Sequence, residues 1–179
     1  SLVAVKAGAE TLARYATTCQ NVGIVPIVEP ELLIDGNHSI EHAAEASEVI
    51  LHEVFNALFL HQVALECMIL KPSMITCGKD NTPFSTPEEI AEYTLSVFRN
   101  QVPAAVPSIN FLTLNLNAIN NFGEQPWELS FSYGRALQEN CLKAWKGQQS
   151  NTENAQNALL KAAEANSLAA SGEYNENSN

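Results

Sequence analysis

The sequence predicts an α/β fold in which parallel strands alternate with helices, either half of an eight-stranded βα-barrel or a small doubly wound sheet. Three observations carry that expectation. Strand-like and helix-like segments alternate four times along 179 residues. The strand-like segments read as near-continuous apolar runs, as in parallel strands covered on both faces by helices. Charged residues gather where those runs end, and in either architecture functional groups belong at the C-terminal ends of the strands.

The elements follow in order. Val3, Leu12, Ala13, Ala16 and Cys19 recur at helical spacing and predict an opening helix to about Asn21, ended by Gly23. Ile24 to Val28 is short, β-branched and apolar, and reads as a buried strand. Asp35-Gly36-Asn37 is a turn. Ile40 to about His61 is a long amphipathic helix whose apolar face is Ala43, Val49, Ile50, Val54, Leu58 and Phe59. Val63 to Leu70 is the second strand, and Lys71 to Pro87 a long polar connection. Ser85 or Thr86 caps the next helix, with Pro87 at its first position and Glu88 and Glu89 in its first turn. That helix runs to about Val102. Ser108 to Leu112 is the third strand, Leu116 to Asn121 a helical stub, and Trp127 to Phe131 the fourth strand. Helices from Gly134 to Trp145 and from Thr152 to Gly172 complete the chain. Residues from Asn175 on read as a frayed tail, 175–179.

Composition narrows the function classes. Apolar residues make up 46% of the chain and charged residues 16%, a globular balance. A net charge of −11 disfavours nucleic acid and anionic membrane surfaces, so neither is an expected partner. No segment has the apolar length of a membrane span. Cys19, Cys67, Cys77 and Cys141 form no C-x-x-C pair, and reduced, mostly buried thiols in a reducing compartment are expected. No signal peptide or initiator Met precedes the first helix, and a chain that opens inside an element reads as a fragment or a processed product. Asn37-His38-Ser39 has the spacing of a glycosylation sequon, read as a chance match. His38 and His42 are four apart, but with His52 and His61 elsewhere no third ligand is evident, so no metal site is expected. Trp127 and Trp145 read as core residues.

Three strand ends carry chemistry. The first strand closes on Glu29-Pro30-Glu31. Residues two apart in an extended stretch share a face, and Pro30 holds Glu29 extended. Two close carboxylates raise each other's proton affinity, so one can serve as acid or base near neutral pH. A solvated pair in a loop is the competing reading. The second strand closes on Lys71-Pro72. A lysine at the end of an apolar run is partly withdrawn from water, which favours the nucleophilic amine that imine formation with a ketone requires. The competing reading is a lysine stem lying on the core with its head in water. The fourth strand closes on Ser132-Tyr133-Gly134-Arg135, where a glycine, a helix start and a forked cation suit a phosphate.

The same segments resemble class I fructose-bisphosphate aldolase. The blocks are Ile24-Val25-Pro26-Ile27-Val28-Glu29-Pro30-Glu31, Leu70-Lys71-Pro72-Ser73-Met74, Asn115-Leu116-Asn117-Ala118-Ile119-Asn120 and Phe131-Ser132-Tyr133-Gly134-Arg135-Ala136-Leu137-Gln138. Leu12-Ala13-Arg14-Tyr15, Leu142-Lys143-Ala144-Trp145 and Ala165-Asn166-Ser167-Leu168-Ala169 belong to the same set. They fall in the family's order and cover nearly the whole chain, which implies that residues 1–174 are one partial domain, the C-terminal half of a (β/α)8 TIM barrel. The Leu-Lys-Pro-Ser-Met form, Glu53-Val54-Phe55 and Pro126-Trp127 look most like the plant plastid branch. That implies the chloroplast stroma, with the cytoplasm as the alternative.

The resemblance implies roles. Lys71 matches the Schiff-base lysine, and Glu29 the glutamate that moves protons during imine formation and hydrolysis. Glu31 matches the neighbouring glutamate that hydrogen-bonds active-site groups. Ser132, Gly134 and Arg135 match the segment that grips a substrate phosphate. The implied reaction is reversible cleavage of fructose 1,6-bisphosphate to dihydroxyacetone phosphate and glyceraldehyde 3-phosphate, in glycolysis or the Calvin cycle. No cofactor or metal is implied, because the iminium is the electron sink, and a complete chain is expected to form a homo-tetramer. The sequence departs from the family's pattern in three places. The N-terminal half, with its catalytic aspartate and further lysines, has no counterpart. Phe111-Leu112-Thr113 runs directly into Leu114-Asn115-Leu116 where the family has a Ser-Gly-Gly-Gln loop. The terminal tyrosine has no counterpart, Tyr174 matching an earlier one. These departures imply a partial chain that is inactive alone. A non-catalytic aldolase-like protein that binds a partner or sugar phosphate is the alternative, and an unrelated Schiff-base barrel enzyme a third reading.

Overall fold

A computed structural model describes residues 1–111, 116–132 and 135–173, without the side chains of Leu116, Phe131, Arg135 and Ala136. Its elements run α1 (Leu2–Asn21), β1 (Ile27–Val28), α2 (Ile40–Leu60), β2 (Ile69–Leu70), α3 (Pro87–Gln101), β3 (Ser108–Phe111), α4 (Leu116–Asn120), β4 (Glu128–Phe131), α5 (Arg135–Trp145) and α6 (Thr152–Ala170). The alternation read from the sequence is therefore present, with shorter strands than the apolar runs suggested. Val63 to Leu70 holds a 3-10 turn at Leu65–Cys67 before two residues of strand. Residues 174–179, which include the expected tail, lie outside the described residues.

Local chemistry sets the helix ends. Gly23, at φ 75°, lets the chain leave α1 through a left-handed residue. The Gly23 N–H donates to Gln20 O at 3.0 Å and the Ile24 N–H to Cys19 O at 2.9 Å, so orphan carbonyls of the last turn are satisfied. At α3 the cap is Thr86 rather than Ser85. Its hydroxyl accepts from the Glu89 N–H at 3.2 Å, and the Glu89 carboxylate accepts from the Thr86 N–H at 2.8 Å. Pro87 occupies the first turn, where its missing N–H costs nothing.

The four strands form one parallel sheet in the order β1-β2-β3-β4. There is no reversal of strand order, so no doubly wound switch point exists among the described residues. Sequential parallel strands joined by right-handed crossovers put the helices on one side, as in half of a barrel. Burial agrees. Val28, Leu70, Ile109, Phe111 and Leu129 point to the helix side and are at most 9% exposed. Phe98 of α3 stacks on Phe111 with ring centroids 5.9 Å apart.

The other face corrects the expectation of strands buried on both sides. Register pairs Ile27 with Ile69, Ile69 with Ser108 and Ser108 with Glu128, and Asn110 with Ser130. Those residues are exposed or half-buried. This is the face that a closed barrel turns inward, and here four strands leave it open.

Other expectations fail for related reasons. Val3 is exposed, whereas Ala13 and Ala16 are buried as expected, joined by Ala9. In α2, Val49 and Phe59 face solvent, while Leu51 and Ala57 join Ala43, Val54 and Leu58 in the core. The connection after β2 is not a polar loop. Pro72, Met74, Ile75, Cys77 and Gly78 are all buried. Trp127 is a core residue, but Trp145 is 43% exposed. Of the thiols, all free, only Cys77 is buried and Cys67 is exposed. No described helix is long and apolar enough to cross a membrane.

Candidate active site

Two prolines end the β1–β2 ladder at the same level. The register Val28↔Leu70, carried two residues on, sets Pro30 opposite Pro72. Neither has an N–H to donate, so pairing cannot continue. The last rung is the Lys71 N–H donating to Val28 O at 2.8 Å. One position beyond Val28 and Leu70 stand Glu29 and Lys71, partners by register and on the same face. Their side chains meet there: the Lys71 ammonium donates to Glu29 Oε1, and Glu31 Oε1 lies 3.8 Å from Lys71 Nζ. The lysine side chain is 12% exposed, the two carboxylates 41% and 45%. Lys71 therefore stands inside the rim, with both glutamates between it and water.

The two carboxyl groups are driven apart electrically. Glu29 is held below the usual glutamate range, first by the hydrogen bond from Lys71 and further by one shared with Glu31. Glu31 is pushed up, first by its hydrogen bond to Glu29, then by burial and by the Glu29 charge. Glu29 therefore gives up its proton at lower pH than an ordinary glutamate, and Glu31 at higher pH. Pairs of titratable groups displaced in opposite directions mark acid and base roles.

Two hydroxyls anchor the chain around Lys71. Ser73 Oγ accepts from the Leu32 N–H at 3.0 Å and donates to Leu32 O at 3.2 Å. Thr94 of α3, fully buried, accepts from the Ile75 N–H at 2.9 Å. Further out, Gly78 packs on Gly36 so closely that an added Cβ would lie 2.2 Å from Gly36 O. The Lys79 N–H donates to Ile34 O at 2.8 Å there.

Ser132, which opens the segment expected from the sequence to grip a phosphate, lies at the same end of the parallel sheet, two strands from Lys71. The Ser132 N–H donates to Phe111 O at 2.7 Å, which continues β4 past Phe131. By alternation Ser132 shares the open face with Ser130. Arg135 is the first residue of α5. Tyr133 and Gly134 lie outside the described residues, as does the direction of the Arg135 side chain. Among the described residues no three His, Cys, Asp or Glu side chains gather as a metal-holding group. Sequence reading missed the roles of Ser73 and Thr94. It also missed the polar face of Ser108, Asn110 and Ser130, although the alternation in Ser108-Ile109-Asn110-Phe111 could have revealed it.

Four sequential parallel βα units, with Glu29 and Lys71 paired at the strand C-termini, define part of a βα-barrel. A family profile described as fructose-bisphosphate aldolase class-I matches residues 1–179, and the chain belongs to that family. It is 49% identical to the chloroplastic fructose-bisphosphate aldolase 1 of Arabidopsis thaliana, over 97% of this chain and 46% of the relative. It is 50% identical to a cytoplasmic isozyme of Cicer arietinum, over 93% of this chain and 49% of that protein. A solved aldolase of Plasmodium falciparum, in complex with TRAP and a small-molecule inhibitor, superposes with a TM-score of 0.94 at 44% identity. That match covers 97% of this chain and 52% of the other. The chain spans about half the length of the curated relatives it matches.

Proposed function

We propose that this chain carries the imine-forming half of a class I fructose-bisphosphate aldolase, with Lys71 as the Schiff-base lysine and Glu29 and Glu31 as its proton-transfer pair. The observation that carries the reading is the Lys71–Glu29 ion pair with Glu31 beside it at the C-terminal end of a parallel sheet. Glu29 takes a proton from the Lys71 ammonium, and the freed amine attacks the ketone carbon of fructose 1,6-bisphosphate. A returned proton lets the carbinolamine oxygen leave as water, giving the iminium. When the C3–C4 bond breaks, its electrons pass into the iminium to form an enamine, the C4 hydroxyl gives up its proton, and glyceraldehyde 3-phosphate leaves. The enamine is then protonated at C3, and hydrolysis releases dihydroxyacetone phosphate and Lys71. Glu31, whose carboxyl is pushed up by the neighbouring Glu29, is the second carboxyl of the relay and exchanges a proton with Glu29 as the imine forms and hydrolyses. Ser132, Gly134 and Arg135 grip a substrate phosphate, since a helix start and a guanidinium suit that anion.

The resemblance puts the aspartate and lysines that complete the site on the other half of the barrel. The direct passage of Phe111-Leu112-Thr113 into Leu114-Asn115-Leu116, without a Ser-Gly-Gly-Gln loop, favours as a second reading a non-catalytic protein that binds a partner or sugar phosphate. One experiment separates them. A coupled cleavage assay compares the 179-residue chain alone with the same chain joined to the N-terminal half of the Arabidopsis chloroplastic relative. The chain alone should fall short by roughly 10³-fold or more, because catalytic groups that act as a unit lose most of their effect together. The joined protein should turn over at an ordinary rate, on the order of one per second or faster. Lys71→Arg in it should abolish turnover, because a guanidinium stays protonated. An inactive joined protein would favour the second reading. The plastid-like blocks support the stroma as the site of action, which fractionation of the source cells tests. A tetramer is the expected assembly of a complete chain, and light scattering on the joined protein reads it.

A further inference from the structure

The chain from Glu29 to Asp35 has no regular structure, yet it carries both carboxylates. Beyond the last rung at Val28 the ladder is stopped by Pro30 and Pro72. Further out, the next backbone tie to the β2 side is the Lys79 N–H donating to Ile34 O at 2.8 Å. Between these ties one side chain takes over. Ser73 Oγ both accepts from the Leu32 N–H and donates to Leu32 O, at 3.0 Å and 3.2 Å. It satisfies both backbone groups of one residue, as a strand partner would. Leu32 is adjacent to Glu31, and Ser73 is two residues from Lys71. Leu32 is also the one half-buried residue in an otherwise exposed run from Glu31 to Asp35, packed on the core. The clamp therefore acts at the point where that segment touches the body of the protein.

We propose that Ser73 is a positioning residue for proton transfer, its hydroxyl clamping Leu32 and so holding Glu29 and Glu31 against Lys71. This rests on the reading of Lys71, Glu29 and Glu31 given above. Hydroxyl loss frees both Leu32 backbone groups and lets the Glu29–Glu31 segment swing outward. A void of about 10 Å³ lies beside Ser73, lined by Leu32, Ser47 and Phe98 among others. That is the room of about one water. In Ser73→Ala a water can enter and hydrate Leu32, which spares stability without restoring position. In Ser73→Thr the same room takes the extra methyl and the hydroxyl is kept.

The charged groups that act on the Glu31 carboxyl are Glu29 and Lys71, so its titration reports their proximity. The test follows the carbon-13 resonances of the Glu29 and Glu31 carboxyls against pH in the 179-residue chain, with Ser73 intact, as Ser73→Ala and as Ser73→Thr. Ser73→Ala should move Glu31 down and Glu29 up, each toward an ordinary glutamate, while Ser73→Thr should leave both in place. In the chain joined to the relative's N-terminal half, borohydride trapping of dihydroxyacetone phosphate on Lys71 should slow by about 10–100-fold in Ser73→Ala, since small misplacements carry costs of that order. Ser73→Thr should restore it. Unchanged titrations in a folded Ser73→Ala chain would overturn the proposal. So would an unprotected Leu32 amide in hydrogen exchange on the unsubstituted chain, a reading that stands even if Ser73→Ala fails to fold. Titrations that move as expected, with no Lys71 adduct in any joined variant, would sink the aldolase reading and leave the clamp intact.

Discussion

Thr94→Val offers a quantitative test of how the helix layer supports the site. Thr94 is fully buried in α3 and its hydroxyl accepts from the Ile75 N–H at 2.9 Å, with Ile75 itself 1% exposed. Valine keeps the branched shape and a comparable helix propensity, so no cavity opens. What is lost is one buried acceptor, and the Ile75 N–H is left unpaired where water does not reach. Leaving such a group unmade costs about 1–3 kcal/mol. In a chain of this size each kcal/mol lowers the melting temperature by about 2–4 °C, so a fall of roughly 2–12 °C is expected in a calorimetric scan. Thr94→Ser keeps the acceptor and removes one methyl, a loss of about 0.8 kcal/mol, and should melt between the two. If Thr94→Val melts with the parent chain while Thr94→Ser falls further, packing rather than the hydrogen bond holds the Lys71 connection, and the reasoning is wrong.

Other outcomes follow from the same geometry. Gly78→Ala sets a Cβ 2.2 Å from Gly36 O, so the loops after β1 and β2 must part. A loss of about 1–3 kcal/mol is expected from overpacking, read as a lower urea midpoint. Acid stability separates the two glutamates. Glu29 is held low by Lys71, so its contribution is present above the unfolded glutamate value of about 4.3 and is lost as pH falls through its lower folded value. Urea midpoints measured on Glu29→Gln should show a shallower acid limb. Glu31 is raised by Glu29, so its contribution is present below about 4.3 and lost as pH rises through its higher folded value. Glu31→Gln should therefore leave stability at pH 7 unchanged or higher, and a clear loss there would contradict the assignment.

Much of this was legible in the sequence, for identifiable reasons. Helices were legible because caps such as Thr86-Pro87-Glu88-Glu89 and the stop at Gly23 are local signals. Strand positions were legible, but their lengths were not. Apolar runs such as Ile24 to Val28 include residues that pack without pairing, and only the ladder defines a strand. Two-sided burial was misread because Ile27 and Ile69 are apolar yet face the open side, where four strands provide no partner layer. Lys71 and Glu29 could be named from strand ends, but their pairing depends on register, which no single segment carries. Pro30 and Pro72 were the available clue once the strands were aligned. Ser73 and Thr94 were invisible because a hydroxyl's partner lies 41 or 19 residues away in sequence. For Gly134 and the Arg135 side chain, the expectation remains one drawn from sequence and resemblance.

The central claim is that Lys71 is the imine-forming amine. The direct measurement is peptide mass mapping after dihydroxyacetone phosphate and borohydride are added to this chain joined to the N-terminal half of the Arabidopsis relative. Attack of the amine on the ketone, loss of water and hydride reduction leave a stable secondary amine. The account predicts that adduct on the peptide containing Leu70-Lys71-Pro72, and none there in Lys71→Arg. An adduct on a different lysine, with Lys71 unmodified, would contradict it.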